Sequence, residues 1–473
     1  MRKGDNLTDL FIETIAAEGK CIAKVDGMVV FLKGGAPGDS VEAIVTKVKK
    51  SFAEARVTKI IKHSAQRAEP FCKHFGTCGG CVWQHINYET QLFYKEKQVI
   101  DNLERIGELK FSESRPILGS EKTKLYRNKL DYTFTKEEWL TWEDLQDGKE
   151  KGPGLGYHIP RKFDQVFDVK ECHLQPEPSN SIRLALKVET LKLNIPYFDL
   201  RSQEGFLRTV TIRTSTSGET MVILQVTRNK KEWIDSLLQK LADQFPTLTS
   251  INYVINNKKN DTFSDLEVIS WKGNSYITEI MPLPRGEKTL QFRVGPKSFY
   301  QTNSEQAHAL YKIVWELAQI QKNEVVYDLY TGTGTIANFV AADARKVIGL
   351  EYVPDAIRDA VVNSEINDIH NTQFFAGDIK DLLNDTFLEV HGRPDVIITD
   401  PPRAGMHENV SKMILKAEPN RIVYVSCNPA TQARDLKILS EKYEIVLVQP
   451  VDMFPHTMHV ENVVSLQLRA SDL

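Results

Sequence analysis

Cys427 stands in VYVSCNPATQARDL (423–436), after an apolar run ending at Val425 and ahead of a helix-like segment. Most free cysteines are small buried hydrophobes that do no chemistry. A structural thiol would sit mid-strand, whereas one where strand gives way to loop is placed as a nucleophile. Closer to the C-terminus, MFPHTMHVENVVSLQLR brings His456, His459 and Glu461 ahead of a last apolar run. A carboxylate heading a strand is ordinarily just solvated; beside a nucleophile and a reactive ligand it is a candidate base. A separate group of thiols lies in EPFCKHFGTCGGCVWQH, where Cys72, Cys78 and Cys81 form C-x5-C-x2-C, and Cys172 of VKECHLQPE offers a fourth. Four thiolates suit a [4Fe–4S] cluster or a tetrahedral zinc. Zinc sites usually pair two short Cys-x2-Cys knuckles and only one is present, while the Gly79-Gly80 turn and three closely spaced thiolates fit a cuboidal cluster. His74, His85 and His173 keep zinc open, and the spacing is not the C-x3-C-x2-C of radical enzymes. Coincidence would strand four of the six cysteines together.

YDLYTGTGTIA ends a strand and opens a helix around Gly332 and Gly334. Such glycines let the backbone turn sharply and approach a ligand. Glu351 ends the next strand, where a carboxylate can accept hydrogen bonds from both hydroxyls of a ribose. Gly332, Gly334 and Ala337 also satisfy G-x-G-x-x-A, so the glycines alone suit a nicotinamide cofactor, S-adenosylmethionine or a ligand-free turn. VIITDPPRAG then sets Asp400, Pro401 and Pro402 at the end of the fourth strand. A dinucleotide enzyme has no use for that motif there. It resembles the acidic-Pro-Pro sequences of S-adenosylmethionine methyltransferases that act on nitrogen or on bases.

These residues need a scaffold, and the apolar pattern supplies one. EVVYDLY, RKVIGLE, TQFFAGD, PDVIITD and NRIVYVS have strand length, and helical spacing fills the stretches between them. That alternation predicts a largely parallel α/β sheet over 286–473 that binds ligands at the strands' carboxyl ends. Residues 1–62 read as a small all-β barrel, and 63–285 as a mixed α+β region holding the cysteine group. A chain of 473 residues with 41% apolar and 26% charged residues fits a globular protein of about two to four domains. No run approaches the eighteen or so apolar residues of a membrane span. The N-terminus lacks a secretory h-region, so a cytoplasmic protein with reduced thiols is expected, with no membrane and no obligatory protein partner. The net charge of −3 argues against a uniformly basic coat, but residues 47–62 hold six Lys/Arg against one Glu, a local +5. That stretch reads as a solvated strand face or, more sharply, an RNA-binding face.

GKCIAKVDGMVVFLKGGAPGDSV resembles a TRAM module, an OB-like barrel attached to RNA-modifying enzymes, with Cys21 in its core. Together with C-x5-C-x2-C and its distant cysteine, SFYQTN, DLYTGTGT, DPPRAG, SCNPAT and HVENV, it makes nearly the whole chain resemble the RNA uracil-C5 methyltransferases, most closely the 23S ribosomal RNA branch. The resemblance implies a TRAM barrel, a central domain with an iron–sulfur cluster and a Rossmann-like methyltransferase domain. It implies that Gln301, Tyr330, Glu351 and Asp400, with Thr335 a weaker candidate, contact S-adenosylmethionine. It also implies Cys427 as nucleophile, Glu461 as general base, and Cys72, Cys78, Cys81 and Cys172 as ligands of a [4Fe–4S] cluster.

The chemistry such enzymes perform explains these residue types. Uracil C5 is too weak a nucleophile to attack a sulfonium methyl directly. A thiolate adding to C6 makes an enolate that takes the methyl at C5; a base must then remove the C5 proton so the thiolate can leave. Thiolate formation needs a positive neighbour, for which the sulfonium, Arg403, Arg434 and the histidines are candidates. The target base must leave its stack. The barrel and YRNK (126–129) are candidate phosphate contacts, and Phe75 and Trp83 are candidate stacking platforms or cluster packing. Ribosomal RNA is the favoured substrate. The alternatives are a transfer RNA T-loop uridine, two ribosomal sites, a non-catalytic RNA-binding or ribosome-assembly factor, and an iron–sulfur oxidoreductase that would leave DPPRAG and SCNPAT idle.

Overall fold

The computed structural model describes residues 1–16 and 19–470. Alternating apolar residues fold the N-terminal segment into six strands: β1 (Asn6–Phe11), β2 (Thr14–Ile15), β3 (Cys21–Val25), β4 (Met28–Lys33), β5 (Ser40–Val48) and β6 (Phe52–Lys62). Their order is β1-β5-β6-β4-β3-β2, and only β4 and β6 run parallel. The sheet wraps a core that includes Leu10, Ile12, Cys21, Val30, Leu32 and Val41. Cys21 sits there as expected, with its thiol donating to the Gly35 carbonyl and burial pushing its pKa up to about 12.

The middle of the chain begins with α1 (Tyr88–Arg105), whose N-cap Asn87 accepts from the Thr90 amide. After β7 (Phe111–Ser114) come β8 (Lys129–Thr135), α2 (Trp142–Gln146), β9 (Gly154–His158), β10 (Val166–Asp168), α3 (Ser179–Lys192), β11 (Leu207–Thr214), β12 (Thr220–Val226), α4 (Lys231–Gln244), β13 (Ser250–Ile255) and β14 (Ile269–Gly273). The sheet order is β10-β9-β8-β11-β12-β13-β14. Every residue of β11 and β12 is buried, as in strands covered on both faces. A hairpin of β15 (Ile277–Pro282) and β16 (Thr289–Val294) leads into the last region.

That region alternates strands and helices as the apolar runs predict: α5 (Ser304–Ala318), β17 (Val325–Leu329), α6 (Thr335–Val340), β18 (Lys346–Glu351), α7 (Pro354–Ile366), β19 (Thr372–Ala376), α8 (Ile379–Leu382), α9 (Asp385–His391), β20 (Val396–Thr399), α10 (Glu408–Ala417), β21 (Arg421–Ser426), α11 (Pro429–Leu439), β22 (Tyr443–Val451) and β23 (Glu461–Leu468). The eight-stranded order is β19-β18-β17-β20-β21-β23-β22-β7. Strands β17 to β21 are parallel, and β23 enters antiparallel between β21 and β22. β7 lies in the sequence range expected to belong to the central region, yet it pairs with β22 and closes this sheet's edge. Among the described residues, no helix is long and apolar enough to cross a membrane.

The loop joining β22 to β23 is held from outside the sheet. Lys95 on α1 donates to Asp452 Oδ1 (2.6 Å) and to the Phe454 carbonyl, and Tyr88 donates to Asp452 Oδ2. Both members of this ion pair are fully buried, where a charge is tolerated only when paired and hydrogen-bonded. Gln91 accepts from the His456 amide, and the Val82 and Trp83 amides donate to the His456 carbonyl.

Candidate active site

Three neighbouring strands deliver three reactive groups to one edge of the sheet. Thr399 pairs with Tyr424, so Asp400 and Cys427 emerge from adjacent parallel strands. Ser426 pairs with Asn462 across the antiparallel ladder, which sets Cys427 and Glu461 at the next position in register. Directly opposed side chains on such a ladder stand about 5 Å apart at Cβ. The turn after Cys427 is built into SCNP: Asn428 caps α11 by accepting from the Ala430 amide, and Pro429 fills the first helical position, where no amide donor is needed.

The electrostatics of this edge are dominated by lost hydration. Burial pushes the Cys427 thiol up to about 11, reinforced by Glu461 and Asp400 and opposed by Arg403, whose guanidinium reaches the thiol. Burial likewise raises Asp400 to about 7 and Glu461 well above the carboxylate range, with Asp400 adding to the effect on Glu461 and Arg403 opposing it. Lost hydration therefore favours the thiol form of Cys427 and the protonated form of Glu461, and a nearby positive charge opposes both. Among the cations considered for activating Cys427, Arg403 is the one in place. Arg434 is instead engaged by Asp435 and the Ala404 and Met406 carbonyls. His459 lies against Arg403, 3.3 Å from Nη2, and burial lowers its pKa to about 4. His456 is drawn away into the Gln91 contact.

The glycine loop forms the neighbouring wall. Gly334 adopts φ +74° at the N-cap of α6, and a Cβ there would come within 2.9 Å of Ala360, so only glycine fits. Glu351 accepts from the Gly332 and Val353 amides, which fixes its carboxylate beside the loop. Tyr330 is held at φ +65°, a costly conformation for a bulky residue. Thr335 is buried and contacts Thr333, whose hydroxyl donates to the Phe299 carbonyl and so ties the loop to the SFYQTN segment. Gln301 is partly buried, and among the described residues its side chain makes no hydrogen bond. One residue escaped the sequence reading. Asp328 accepts from Thr331 Oγ1 and the Ala337 amide, is raised to about 7 mainly by burial, and has a buried Oδ1 with no partner among the described residues. Its signal was present as the acid closing β17, ahead of the glycines.

A cleft of about 1450 Å³ reaches Cys427. Its walls come from β3, β4 and β6, the 67–86 segment, the β9–β10 turn and the Cys427 edge, with Lys33, Arg56, Arg161 and Arg403 among its cations. Trp83 is 2% exposed and therefore packs rather than presents a free ring; Phe75 lies tilted against His85. Much of the hydrogen-bonding capacity of YRNK is used inside the fold. Tyr126 donates to the Pro455 carbonyl, Arg127 Nε to the Lys129 carbonyl, and Asn128 to Gln301 and Ser304, so Tyr126 and Asn128 are committed to the fold.

Cys72, Cys78, Cys81 and Cys172 line a second cavity of about 220 Å³. Among the described residues no group of three or more His, Cys, Asp or Glu is arranged to hold a metal ion. Burial raises the pKa values of Cys72 and Cys78 and takes Cys81 to about 12, with repulsion from the neighbouring thiolates adding to each.

Residues 207–469 match the family model described as tRNA (uracil-5-)-methyltransferase, and residues 9–58 match that of the TRAM domain. The chain is 55% identical over 460 residues to a Bacteroides thetaiotaomicron protein named an uncharacterized RNA methyltransferase, spanning 96% of this chain and 100% of that one. It is 38% identical over 476 residues to a protein of the same description from Chlorobaculum tepidum, spanning 98% and 96%. Among solved structures, the tRNA (uracil-54, C5)-methyltransferase of Pyrococcus abyssi in complex with S-adenosyl-L-homocysteine superposes with a TM-score of 0.74 at 29% identity, covering 97% of this chain and 99% of that one.

Proposed function

This chain belongs to the tRNA (uracil-5-)-methyltransferase family as an S-adenosylmethionine-dependent RNA methyltransferase with a TRAM domain, and on that premise we propose that Cys427 and Glu461 carry out the methylation of a uridine at C5. The observation that supports this most is the meeting of Asp400, Cys427 and Glu461 at the ends of β20, β21 and β23. Cys427 gives its proton to solvent, its thiolate sulfur bonds to C6, and the C5–C6 electron pair moves toward O4. C5 then takes the methyl carbon, and the sulfonium leaves as the neutral thioether. Glu461 accepts the C5 proton, the electrons of that bond restore C5–C6, and Cys427 departs as thiolate. Gln301, Tyr330, Glu351 and Asp400, with Thr335 beside them, form the donor site. The cleft walled by the TRAM strands takes the RNA, whose target base reaches Cys427 unstacked.

The raised pKa values carry a consequence for donor binding. A sulfonium adds a positive charge beside groups that otherwise hold protons, so it favours their ionised forms. Donor affinity therefore rises with pH through the region around 7 where Asp400 titrates, and binding releases protons. The neutral S-adenosylhomocysteine shows a flatter profile. Titration calorimetry in buffers of different ionisation enthalpy measures this; identical proton release for both ligands overturns it.

For the RNA class, the cysteine group and barrel, which resemble the 23S ribosomal branch, support ribosomal RNA. A second reading, a transfer RNA uridine, is supported by the Pyrococcus abyssi likeness across 97% of the chain. Methyl-labelled donor offered separately to unmodified ribosomal and transfer RNA, followed by nucleoside analysis, decides between them: 5-methyluridine appears in one fraction. Label in another nucleoside overturns the uracil-C5 chemistry.

The four-thiol cavity supports a [4Fe–4S] cluster held by Cys72, Cys78, Cys81 and Cys172. A bound metal group would hold these side chains as thiolates and supply the positive charge that burial alone denies them. A zinc would draw all four sulfurs to about 2.3 Å of one centre, whereas each thiolate of a cuboidal cluster binds its own iron. When bound, the group supplies structural cross-linking of the 72–81 loop to the 172 region. Anaerobically purified protein should absorb broadly near about 400 nm, and Cys172→Ala should lose that band; colourless protein containing stoichiometric zinc overturns the assignment.

A further inference from the structure

We propose that Asn128 is a positioning residue that sets Gln301 from the central sheet; the inference rests on the donor-site role proposed for Gln301. Asn128 Nδ2 donates to the Gln301 carbonyl and to Ser304 Oγ, both at 2.8 Å. Its backbone amide donates to the Thr302 carbonyl, and its carbonyl accepts from the Thr214 amide beyond the end of the β11–β8 pairing. One residue thus joins the central sheet to Gln301, Thr302 and Ser304.

A second residue acts on the same segment. Arg213, 7% exposed, donates from Nη2 to the Ser298 carbonyl at 2.8 Å. Ser304 is fixed further by Glu279, a buried acid that also accepts from the Thr216 amide and hydroxyl. On the other side, Thr333 of the glycine loop donates to the Phe299 carbonyl, and Ser298 donates to Asp359 on α7. The segment from 298 to 304 therefore lies between two bodies, with the Ser298, Gln301 and Thr302 carbonyls held from the central sheet and the Phe299 carbonyl and Ser298 hydroxyl held from the glycine loop and α7. Among the described residues the Gln301 side chain has no partner, which is the condition of a group kept for a ligand. Its aim depends on where the backbone carbonyl is pinned, and Asn128 does the pinning.

The test is a double-mutant cycle with a stability control. Asn128→Asp keeps the shape but removes both donated hydrogen bonds and turns a negative oxygen toward the Gln301 carbonyl. Asn128→Asp and Gln301→Ala should each lower kcat/KM by about 10–100-fold, the range for a misplaced contact. Each should weaken S-adenosylhomocysteine binding by a similar factor and leave RNA binding unchanged. The double variant should fall no further than the weaker single, because both changes remove one interaction. Ile234→Ala, in the central core on α4, should lower Tm and combine additively with Gln301→Ala. Additive losses for Asn128→Asp and Gln301→Ala overturn this inference alone. Full activity in Gln301→Ala overturns the assignment of Gln301, and the inference with it.

Discussion

Cys427→Ala abolishes uracil-C5 methylation, a loss of about four to six orders of magnitude in turnover, as for removal of other essential nucleophiles. The size follows from the chemistry: without addition at C6 no enolate forms, and C5 cannot attack the donor. The variant should still bind donor and RNA, because Cys427 emerges after β21 has ended and Asn428 caps α11 independently of it. In the wild type, adduct formation should speed up as pH rises from about 7 to 9, since a thiol pushed up to about 11 ionises more completely over that range. Single-turnover assays across pH, run beside the alanine variant, measure both effects. Methylation that persists in Cys427→Ala removes the addition mechanism.

Glu461→Gln gives a different failure. Its amide cannot take the C5 proton, so the methyl is transferred but the thiolate cannot be expelled. Turnover falls by about 10²–10⁴-fold, and methylated RNA remains joined to Cys427, visible as a slowly migrating band on a denaturing gel. The isosteric change also removes a buried acid whose pKa lies well above the ordinary range, so folding should be preserved. Slow turnover with no covalent species means that Glu461 acts before, not after, methyl transfer.

The parallel sheet was readable because its strands are short continuous apolar runs separated by glycines and caps, and that pattern is local. Asp400, Cys427 and Glu461 were readable for the same reason, each being tied to a strand end. What escaped depends on pairing between distant residues. The sequence offers no sign that Tyr126 reaches Pro455 or that Asn128 reaches Gln301, so a polar, basic tetrapeptide read as a phosphate contact. Nor does it show β7 beside β22 or Lys95 against Asp452, whose partners lie hundreds of residues away. Arg403 and Arg434 looked equivalent in sequence. Only the fold separates them, because Asp435 claims one and leaves the other facing the thiol.

The antiparallel entry of β23 between β21 and β22 has a consequence for how such a chain can change over time. Cys427 and Glu461 come from positions far apart in sequence, yet their separation is set by one ladder of backbone hydrogen bonds. Side chains alternate faces at every residue, so a single insertion or deletion inside β21 or β23 would turn one of the pair away from the other. The turn between α11 and β22, residues 440–442, carries no such constraint and can gain or lose residues while the chain still returns to the same rung. Divergence among relatives should therefore accumulate as length variation outside these two strands and almost never within them.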